Sequence, residues 1–317
     1  MKARLPEPSG SSGRDLALAI DIGGTKVEAA LIDRGGRRVP GSSFREPTGT
    51  TITRSGLEKA VLSAATRAFE ARPADGDVIG IGVGSAGPID LVTGTIAPLN
   101  MPGADGAEVR SVIGARFAPL PVRMALDGSC IALAEYRFGA ARGALSALAL
   151  IVSTGVGGGF IVNGQPTLGR SGNAGHIGQL RLRERLDADP FAGTVESLGS
   201  GPRTVAWARE QGWDGATGEE LAVSYASGDP IAHAAVQRSA RAVGEAISGA
   251  STLLDLDIAV VAGGFSNVAR DYVDLVQRFA DESSVLPYAR RVRVVPSGLS
   301  GDGPIVGAAT LALFADD

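Results

Sequence analysis

The segment AIDIGGTKVEAALID, residues 19–33, joins two apolar runs through a polar, glycine-rich turn. The first run, residues 16–22, predicts a buried strand that enters a tight turn at Gly23–Lys26, and the second, residues 27–33, predicts its hairpin partner. Backbone N–H groups of such a turn can bind phosphate oxygens, because no side chain blocks their approach. An ordinary hairpin with an exposed lysine is the simpler alternative, so the motif needs support from elsewhere in the chain.

The same arrangement of residues returns in the second half of the chain. Residues 148–152 predict a strand, Thr154–Gly159 predicts a glycine-rich turn, and residues 160–162 predict a second strand. Taken alone, the second turn would be a flexible bulge. Two copies of one pattern arise by chance much less often than one, so we interpret the two segments as an internal duplication with two phosphate-binding turns.

A single acidic residue stands where α/β proteins commonly bind ligands. Asp127 follows a predicted strand, residues 122–125, and precedes a predicted helix over residues 129–138. A carboxylate at this place can accept the proton of an attacking hydroxyl group. The alternative is a helix N-cap, the commonest role of an aspartate before a helix. The two phosphate-binding turns favour the first interpretation, so Asp127 is the candidate catalytic base.

A third glycine pair and a second acidic residue complete the predicted nucleotide site. Gly263-Gly264 follows a predicted strand, residues 258–261, and would let an adenine or ribose lie against the backbone; a turn into a helix is an equal alternative. Asp21 can hold Mg²⁺ through water, because Mg²⁺ keeps several waters and uses few carboxylates. The candidate cofactor-binding residues are Asp21, Gly23, Gly24, Thr25, Lys26, Thr154, Gly155, Gly157, Gly263 and Gly264.

The composition argues against several other classes of function. A length of 317 residues exceeds one ordinary domain of about 100–200 residues, so two domains are expected. A net charge of −4 supplies no basic field for DNA or RNA, and we expect no nucleic-acid partner. One cysteine excludes a disulfide framework within the chain. Two histidines leave little material for a hydrolytic triad or a multi-histidine metal site.

The single cysteine fits a reduced, cytoplasmic setting, and the hydropathy pattern predicts no membrane segment. No run approaches the roughly 20 consecutive apolar residues that a membrane-spanning helix needs, so no membrane partner is expected. The first residues contain proline, serine and glycine but no apolar signal sequence. We therefore predict a flexible tail over residues 1–15.

One motif matches the pattern of a different class of site, one that binds a dinucleotide. Residues 82–87 satisfy the pattern G-x-G-x-x-G after a predicted strand, and Asp105 follows at a suitable distance for a dinucleotide-binding site. That site requires a helix next, whereas residues 88–96 predict a short hairpin, so we do not predict dinucleotide binding. The sequence also lacks the G-x-x-x-x-G-K-[ST] pattern of a P-loop kinase.

Six segments together resemble the ROK family (repressors, open reading frames, kinases) of the actin-like ATPase superfamily. They occur in the family's order and spacing over nearly the whole chain after the tail. The segments are AIDIGGTKVEAALID (19–33), GIGVGSAGPID (80–90), APLNMPG (97–103), STGVGGGFIVNG (153–164), VESLGSGPRTVAWA (195–208) and VVAGGFSN (260–267). The resemblance implies an α/β protein with the actin-like ATPase (ribonuclease H-like) fold, in which a cleft separates two domains.

Domain limits follow from this resemblance and from the predicted elements. We expect a small N-terminal α/β domain over residues 16–124 and a large α/β domain over residues 125–303. A C-terminal helix, residues 304–317, is expected to pack back against the first domain.

The resemblance also implies sugar-binding roles for individual residues. Asn100 of the third segment and Glu196 of the fifth segment match family residues that contact the sugar. Gly87, in the second segment, is also a candidate substrate-binding residue. Asp127 occupies the catalytic position beside the acceptor hydroxyl. His176 stands where glucokinase-like members have a sugar-binding glutamate and some bacterial N-acetylmannosamine kinases have histidine; an exposed surface histidine is the alternative.

Three departures from the family pattern affect these expectations. Leu126 precedes Asp127 where the family usually has asparagine, which removes one hydrogen bond to the sugar. Gln179 stands where the family has a zinc-binding histidine. The family's cysteine cluster is absent, and RERLDADPFAGTVE, residues 183–196, occupies its place. We therefore predict that structural zinc is missing.

The resemblance implies an enzyme, an ATP-dependent sugar kinase with Mg²⁺ that phosphorylates the primary (6-) hydroxyl of a hexose-type sugar, in the manner of glucokinase. N-acetylmannosamine or another N-acetylhexosamine is the alternative substrate, and His176 favours it. A second alternative is a weakly active sugar-sensing protein without a DNA-binding domain, because Leu126 replaces the expected asparagine and only about fifteen residues precede the first strand. A homodimer is expected. The sequence leaves open which sugar is used.

Overall fold

The described chain begins directly with a strand. The structure, a computed structural model, describes residues 14–183 and 189–314. Twelve strands lie in these residues. They are β1 (Arg14–Ile22), β2 (Lys26–Asp33), β3 (Phe44–Pro47), β4 (Gly76–Ser85), β5 (Ile89–Asp90), β6 (Thr95–Ile96), β7 (Val122–Leu126), β8 (Ala147–Val152), β9 (Val156–Val162), β10 (Gln165–Thr167), β11 (Ile258–Ala262) and β12 (Arg293–Pro296).

Ten of these strands form two five-stranded sheets with the same design. The N-terminal sheet has the order β3-β2-β1-β4-β7, and the C-terminal sheet has the order β10-β9-β8-β11-β12. In each sheet two antiparallel pairings are followed by two parallel pairings. β5 and β6 form a separate ribbon. The matching order and directions confirm the internal duplication that the repeated glycine-rich turns predict.

Nine α-helices lie in the described residues, and none of them has the length and apolar character of a membrane span. Threonine or aspartate side chains cap the first turns of several, including Thr53, Thr217 and Asp229. The helices are α1 (Arg54–Glu70), α2 (Val109–Phe117), α3 (Asp127–Arg137), α4 (Val195–Gly199), α5 (Gly201–Glu210), α6 (Gly218–Ala226), α7 (Pro230–Leu254), α8 (Tyr272–Ser283) and α9 (Gly303–Leu313).

Successive side chains of β1 point to opposite faces of the N-terminal sheet, and different helices cover the two faces. Leu18 and Ile20 pack on one face with residues of α1 and α2, whereas Ala17 and Ala19 pack on the other face with residues of α9. Small residues allow α9 to lie close to the sheet, since a Cβ on Gly82 would overlap the backbone of α9. The last helix of the chain therefore belongs to the first sheet.

The C-terminal sheet is also covered on both faces. Tyr272 of α8 is fully buried and packs with residues of α7 against β8 and β11. On the opposite face, Ile131 of α3 packs with Ala149 and Val260. The helix that begins at Asp127 is thus fixed to the second sheet.

The chain crosses between the two sheets twice in the described residues. β7 leads directly into α3, and the loop after β12 leads into α9. The two helices pack against each other, and a Cβ on Gly307 of α9 would overlap the carbonyl oxygen of Cys130. We propose that the domains divide at residues 124 and 125, with α9 assigned to the first domain.

One predicted limit is corrected by the structure. Arg14 and Asp15, placed in the tail, are strand residues of β1, and ion pairs hold them: Arg14 to Asp33 at 3.0 Å and Arg34 to Asp15 at 2.7 Å. Residues 1–13 of the predicted tail and residues 315–317 of the predicted last helix lie outside the described residues.

The second glycine-rich turn is shorter than the sequence predicts. β9 begins at Val156, so the predicted turn residues 157–159 are strand residues. Their lack of side chains allows α3 to approach, since a Cβ on Gly159 would lie 2.5 Å from the carbonyl oxygen of Gly128. Glycine is needed there for packing as well as for the turn.

Candidate active site

Parallel pairing brings three strand ends to one edge of the N-terminal sheet. Ile22, Ser85 and Leu126 are neighbours in register across β1, β4 and β7. The residues that follow these strands lie at the carboxyl edge, which is where α/β sheets bind ligands. Gly23 and Asp127 therefore stand at the same edge, although about a hundred positions separate them in the sequence.

A cleft of about 400 Å³ opens between the two sheets at this edge. It receives residues from the turn after β1, from the loops after β4 and β6, from the start of α3 and from the turn after β8. The lining residues are Gly24, Thr25, Thr50, Ala86, Gly87, Leu99, Asn100, Leu126, Asp127, Ile151, Ser153, Thr154, Gly155, Val156, Gly157, Gly158, His176, Gln179 and Glu196.

Both glycine-rich turns face this one cleft. The first turn is closed by a hydrogen bond from the Gly23 N–H to the Lys26 carbonyl oxygen (2.9 Å), and the second by one from the Ser153 N–H to the Gly155 carbonyl oxygen (2.9 Å). Exposed backbone N–H groups on opposite walls suit a polyphosphate chain. The predicted nucleotide-binding residues that line the cleft are Gly24, Thr25, Thr154, Gly155 and Gly157.

Three predicted residues of the first turn do not line the cleft: Asp21, Gly23 and Lys26. The Lys26 ammonium group forms an ion pair with Glu28 at 3.0 Å, and Glu28 also binds Arg38 and Arg45. The Lys26 ammonium group therefore shares the single negative charge of Glu28 with two arginines.

The Asp127 carboxyl group, which lines the cleft, interacts electrostatically with that of Asp21, which lies near the end of β1 and outside the lining. Burial raises the pKa of Asp127 to about 6, against a hydrogen bond from the Gly128 N–H (2.7 Å) that favours the ionised form. Burial and the negative charges of Asp127 and Glu28 together raise the pKa of Asp21 to about 7, although the charge of Lys26 acts in the opposite direction. An anionic pair of oxygen donors is the kind of site that attracts a divalent cation such as Mg²⁺.

Helix α3 begins at Asp127 itself, two residues earlier than the sequence predicts. Leu126 occupies the N-cap position and makes no side-chain hydrogen bond there. Within residues 14–183 and 189–314, the hydrogen bond seen to the Asp127 carboxylate comes from the Gly128 N–H. The helix-cap alternative therefore receives no support, and the carboxylate faces the cleft.

Asn100 and Gly87 reach the cleft from the loops that follow β6 and β4. A Cβ on Gly24 would overlap the amide nitrogen of Asn100, so the first turn and Asn100 are in direct contact. The Gly87 carbonyl oxygen accepts a hydrogen bond from the Leu99 N–H at 3.2 Å. This contact ties the two loops together beside the turn.

Glu196 is one of the sugar-binding residues that the family resemblance implies, and it contacts the second turn. Thr194 caps α4, and Glu196 lies in its first turn. The Glu196 carboxylate accepts the Val156 N–H at 2.9 Å and lies 3.4 Å from the Gln179 amide nitrogen. A Cβ on Gly155 would stand 2.6 Å from the same carboxylate and would displace the Glu196 side chain.

His176 and Leu126 meet at Gly87. A Cβ on Gly87 would lie 2.7 Å from His176 Nε2 and would overlap the Leu126 side chain. Burial lowers the pKa of His176 below its usual value, although the charge of Glu196 acts in the opposite direction. The imidazole is therefore neutral at pH 7 and can both donate and accept a hydrogen bond.

A second cavity of about 730 Å³ adjoins the cleft, and Ser153 and Thr154 line both. Gly264 and Phe265 also line it, as expected for the third glycine pair. Gly263 does not line it, but its φ of +99° and its closeness to the Val152 carbonyl oxygen require glycine.

Several residues of this second cavity carried no functional signal in the sequence. Pro202 and Arg209 of α5 and Thr217–Glu219 at the start of α6 line it. The segment VESLGSGPRTVAWA includes Pro202, but the family resemblance gave no role to that residue. Nothing in the α6 sequence indicates a ligand. These residues are far from Gly264 in the sequence, so no local pattern predicts that they share a cavity with it.

Zinc-binding groups are not assembled in the described residues. Residues 14–183 and 189–314 contain no cluster of three or more histidine, cysteine, aspartate or glutamate side chains that could hold a metal ion. The segment that replaces the family's cysteine cluster lies partly in residues 184–188, outside the described residues.

The ROK family model matches residues 17–314. N-acetyl-D-glucosamine kinase of Salmonella typhimurium is 31% identical over 306 residues, which cover 92% of this chain and 98% of that protein. Glucokinase of Streptomyces coelicolor is 26% identical over 319 residues, which cover 94% of this chain and 97% of that protein.

Solved structures agree with these relatives. ROK hexokinase from Thermus thermophilus has a TM-score of 0.81 and 29% identity, covering 95% of this chain and 98% of that chain. A ROK family glucokinase from Streptomyces griseus, in complex with glucose and AMPPNP, has a TM-score of 0.78 and 27% identity, covering 94% of this chain and 99% of that chain.

The two similar sheets, the cleft and these relatives define a sugar kinase with the actin-like ATPase fold, a phosphotransferase with an alcohol acceptor. The chain belongs to the ROK family.

Proposed function

We propose that this sugar kinase transfers the γ-phosphoryl group of ATP to the primary (6-) hydroxyl of a hexose-type sugar, with Asp127 as the base. The observation that carries the proposal is that both glycine-rich turns and Asp127 line one cleft. The turns come from the two duplicated halves, so a polyphosphate lying between them would be held by backbone N–H groups on both sides.

Asp127 has the electrostatic properties that the base requires. A pKa raised to about 6 leaves the carboxylate ionised at neutral pH while making it more basic than an exposed aspartate. The carboxylate would orient the attacking hydroxyl and take its proton as the phosphoryl group is transferred. Positioning supplies most of the remaining rate enhancement, because little covalent chemistry is left to the protein.

Asp21 is proposed to hold Mg²⁺ through water near the end of β1. Its carboxyl pKa is raised to about 7 in part by the charge of Asp127, so a bound cation would relieve the repulsion between the two groups. Mg²⁺ supplies neutralisation of the phosphate charge when it is bound.

The second cavity is proposed to receive the adenosine group. It adjoins the second turn through Ser153 and Thr154, and Phe265 gives it an apolar wall. The sugar would lie at the other end of the cleft, near Asn100 and Glu196.

Replacing Asp127 with asparagine tests the reaction. Asp127→Asn keeps the shape of the side chain but removes the base, so turnover should fall by a factor on the order of 10²–10⁴ while ATP still binds. Asp257→Asn is a matched control, because the Asp257 carboxylate binds the backbone N–H groups of Leu145 and Ser146 away from the cleft. Turnover of Asp127→Asn at the rate of the unmodified protein would refute the assignment.

The preferred sugar has two candidates, glucose and an N-acetylhexosamine. Curated relatives of both kinds cover almost the whole chain. The neutral, partly buried His176 beside Gly87 favours an acetamido group, since it can hydrogen bond to an amide. Measuring kcat/KM for glucose, mannose, N-acetylglucosamine and N-acetylmannosamine with ATP decides between them, and His176→Ala should reduce kcat/KM most for the preferred sugar.

A weakly active sugar-sensing protein is the remaining alternative, because Leu126 offers no amide to the sugar. ADP production that depends on added sugar would exclude it. The expected homodimer, cytoplasmic location and lack of nucleic-acid binding stay predictions, of which light scattering of the purified protein tests the first.

A further inference from the structure

One buried acidic side chain has no part in the mechanism above. Glu135 lies in α3, two turns beyond Asp127, and none of its surface is exposed to solvent. A charged side chain is almost never fully buried unless its oxygens are paired. What this carboxylate binds is therefore informative.

Its three side-chain hydrogen bonds go to two different segments. Oε2 accepts the Ala140 N–H at 2.7 Å and the Gly298 N–H at 3.2 Å, and Oε1 accepts the Ser297 hydroxyl. Ala140 follows the end of α3, whereas residues 297 and 298 lie in the loop between β12 and α9. The carboxylate thus joins the end of α3 to a loop whose Ser297 is 162 positions from Glu135 in the chain.

Both segments belong to the connections between the two sheets. The first connection runs from β7 into α3, and the second runs from β12 through this loop into α9. Glycine allows the close approach: a Cβ on Gly298 would lie 2.9 Å from the Ala140 N–H nitrogen, and one on Gly139 would overlap the Glu135 carboxylate. The loop is packed directly onto the end of α3.

The same loop is anchored to the C-terminal sheet. The Ser297 N–H donates to the Val261 carbonyl oxygen at 3.0 Å, and the Ser297 hydroxyl accepts the Leu299 N–H at 3.2 Å. Glu135 therefore fixes the start of the second connection, while α9 crosses α3 at Cys130 and Gly307. These contacts set the position of α9, and with it the N-terminal sheet, relative to α3.

We propose that Glu135 is a positioning residue for phosphoryl transfer: by joining the two inter-sheet connections, it aligns the first phosphate turn with Asp127. Asp127 and Glu135 are eight residues apart on one helix, about 12 Å along its axis. Loosening the loop at the far end of α3 shifts the walls of the cleft relative to each other. A misplacement of about 1 Å in a reacting pair can cost on the order of 10²-fold in rate.

The proposal rests on the proposed function and is tested with Glu135→Gln. The glutamine keeps the size of the side chain, but its neutral amide is a weaker acceptor and can present an NH₂ group to these three donors. We expect kcat to fall roughly tenfold or more, with KM values for ATP and sugar changed by less than about threefold. More ADP should form per sugar phosphate, since a misaligned cleft admits water as acceptor.

Asp257→Asn is the control for a purely structural effect. Its carboxylate also accepts two backbone N–H groups, at 2.8 and 3.0 Å, but it joins the start of β8 to β11 within one sheet. At a comparable loss of thermal stability, Asp257→Asn should keep kcat and the ADP-to-product ratio of the unmodified protein. Equal kinetic effects in the two variants would overturn the positioning role.

Ser297→Ala decides the question if Glu135→Gln does not fold. It deletes one donor and leaves the carboxylate in place, so a lowered kcat in a folded protein supports the proposal and an unchanged kcat overturns it. An unmodified protein without any sugar-dependent ADP production would instead refute the proposed function, which separates the two failures.

Discussion

The carboxylates of Asp21 and Asp127 lie close together, and burial of Asp21, followed by the charge of Asp127, raises the pKa of Asp21 to about 7. Register explains the proximity, because β1 and β7 flank β4 in parallel and end at the same edge of the N-terminal sheet. Two like charges in a poorly solvated place destabilise each other and attract a cation. The pair is therefore expected to govern both the activity and the stability of the protein.

The rate of sugar phosphorylation should depend on pH through this pair. A base with a pKa raised to about 6 must be ionised to accept a proton, so kcat/KM should rise with pH and level off above about pH 7. The measurement is a profile of kcat/KM between about pH 5 and pH 9 at saturating Mg²⁺. A flat profile across that range would show that neither carboxyl group limits the reaction.

Stability of the ligand-free protein should change with pH in the opposite direction. Because the folded-state pKa of Asp21 lies above its unfolded value of 3.8, the folded state binds more protons between about pH 4 and pH 7, and stability is lost as pH rises through that window. Asp21→Asn removes the charge. We expect it to raise the midpoint of thermal unfolding more at about pH 8 than at about pH 4, while activity falls.

A matched comparison tests the origin of that effect. Asp257→Asn removes a carboxylate that is held by two backbone N–H groups, so it should not stabilise the protein at either pH. If Asp21→Asn shifts the unfolding midpoint equally at both pH values, the coupled carboxyl pair does not cause the stabilisation.

The contact between Gly24 and Asn100 predicts an effect on sugar binding. Gly24→Ala would place a Cβ against the Asn100 amide and displace it. One lost hydrogen bond of about 1 kcal/mol weakens binding about fivefold, so the KM for sugar should rise by that factor. Asn100→Ala should have a similar effect, and the double variant should be no worse than either one, because the same amide is lost each time. Additive effects would show that the two residues act independently.

Glycine residues in α7 and β4 should respond oppositely to alanine. Gly249 lies in the interior of α7 and a Cβ there meets nothing within 4 Å, so Gly249→Ala should stabilise the protein by about 0.5–1 kcal/mol. Gly82→Ala would place a Cβ that overlaps the backbone of α9. It should therefore destabilise the protein by about 1–3 kcal/mol. Chemical denaturation of both variants provides the measurement, and a stable Gly82→Ala would contradict the close packing of α9 on β4.

Treatment that removes zinc should change neither the activity nor the thermal stability of the protein. A protein that is treated with a chelator and then supplied with Mg²⁺ should recover full activity and unchanged thermal stability, because the described residues assemble no zinc-binding cluster. Elemental analysis of the purified protein gives an independent measurement. One tightly bound zinc per chain would require ligands from residues that the structure does not describe.

The sequence by itself determined the local elements and the two glycine-rich turns. Apolar runs, helical spacing and glycine-rich turns depend on a few adjacent residues, and the predicted strands, the hairpin after Gly87 and the helix α3 agree with the structure within a few positions. The repeated pattern predicted the duplicated sheets for the same reason. The motif at residues 82–87 was correctly set aside, since β4 continues to Ser85 and is followed by the β5–β6 ribbon.

Only the tertiary structure decided which of these elements meet. It placed Asp21 beside Asp127, paired Lys26 with Glu28, and brought the start of α6 to the cavity of the third glycine pair. It also joined Glu135 to a loop 162 positions away. Such contacts depend on strand register and helix packing between distant segments, which are decided by the fit of whole surfaces and leave no local trace in the sequence.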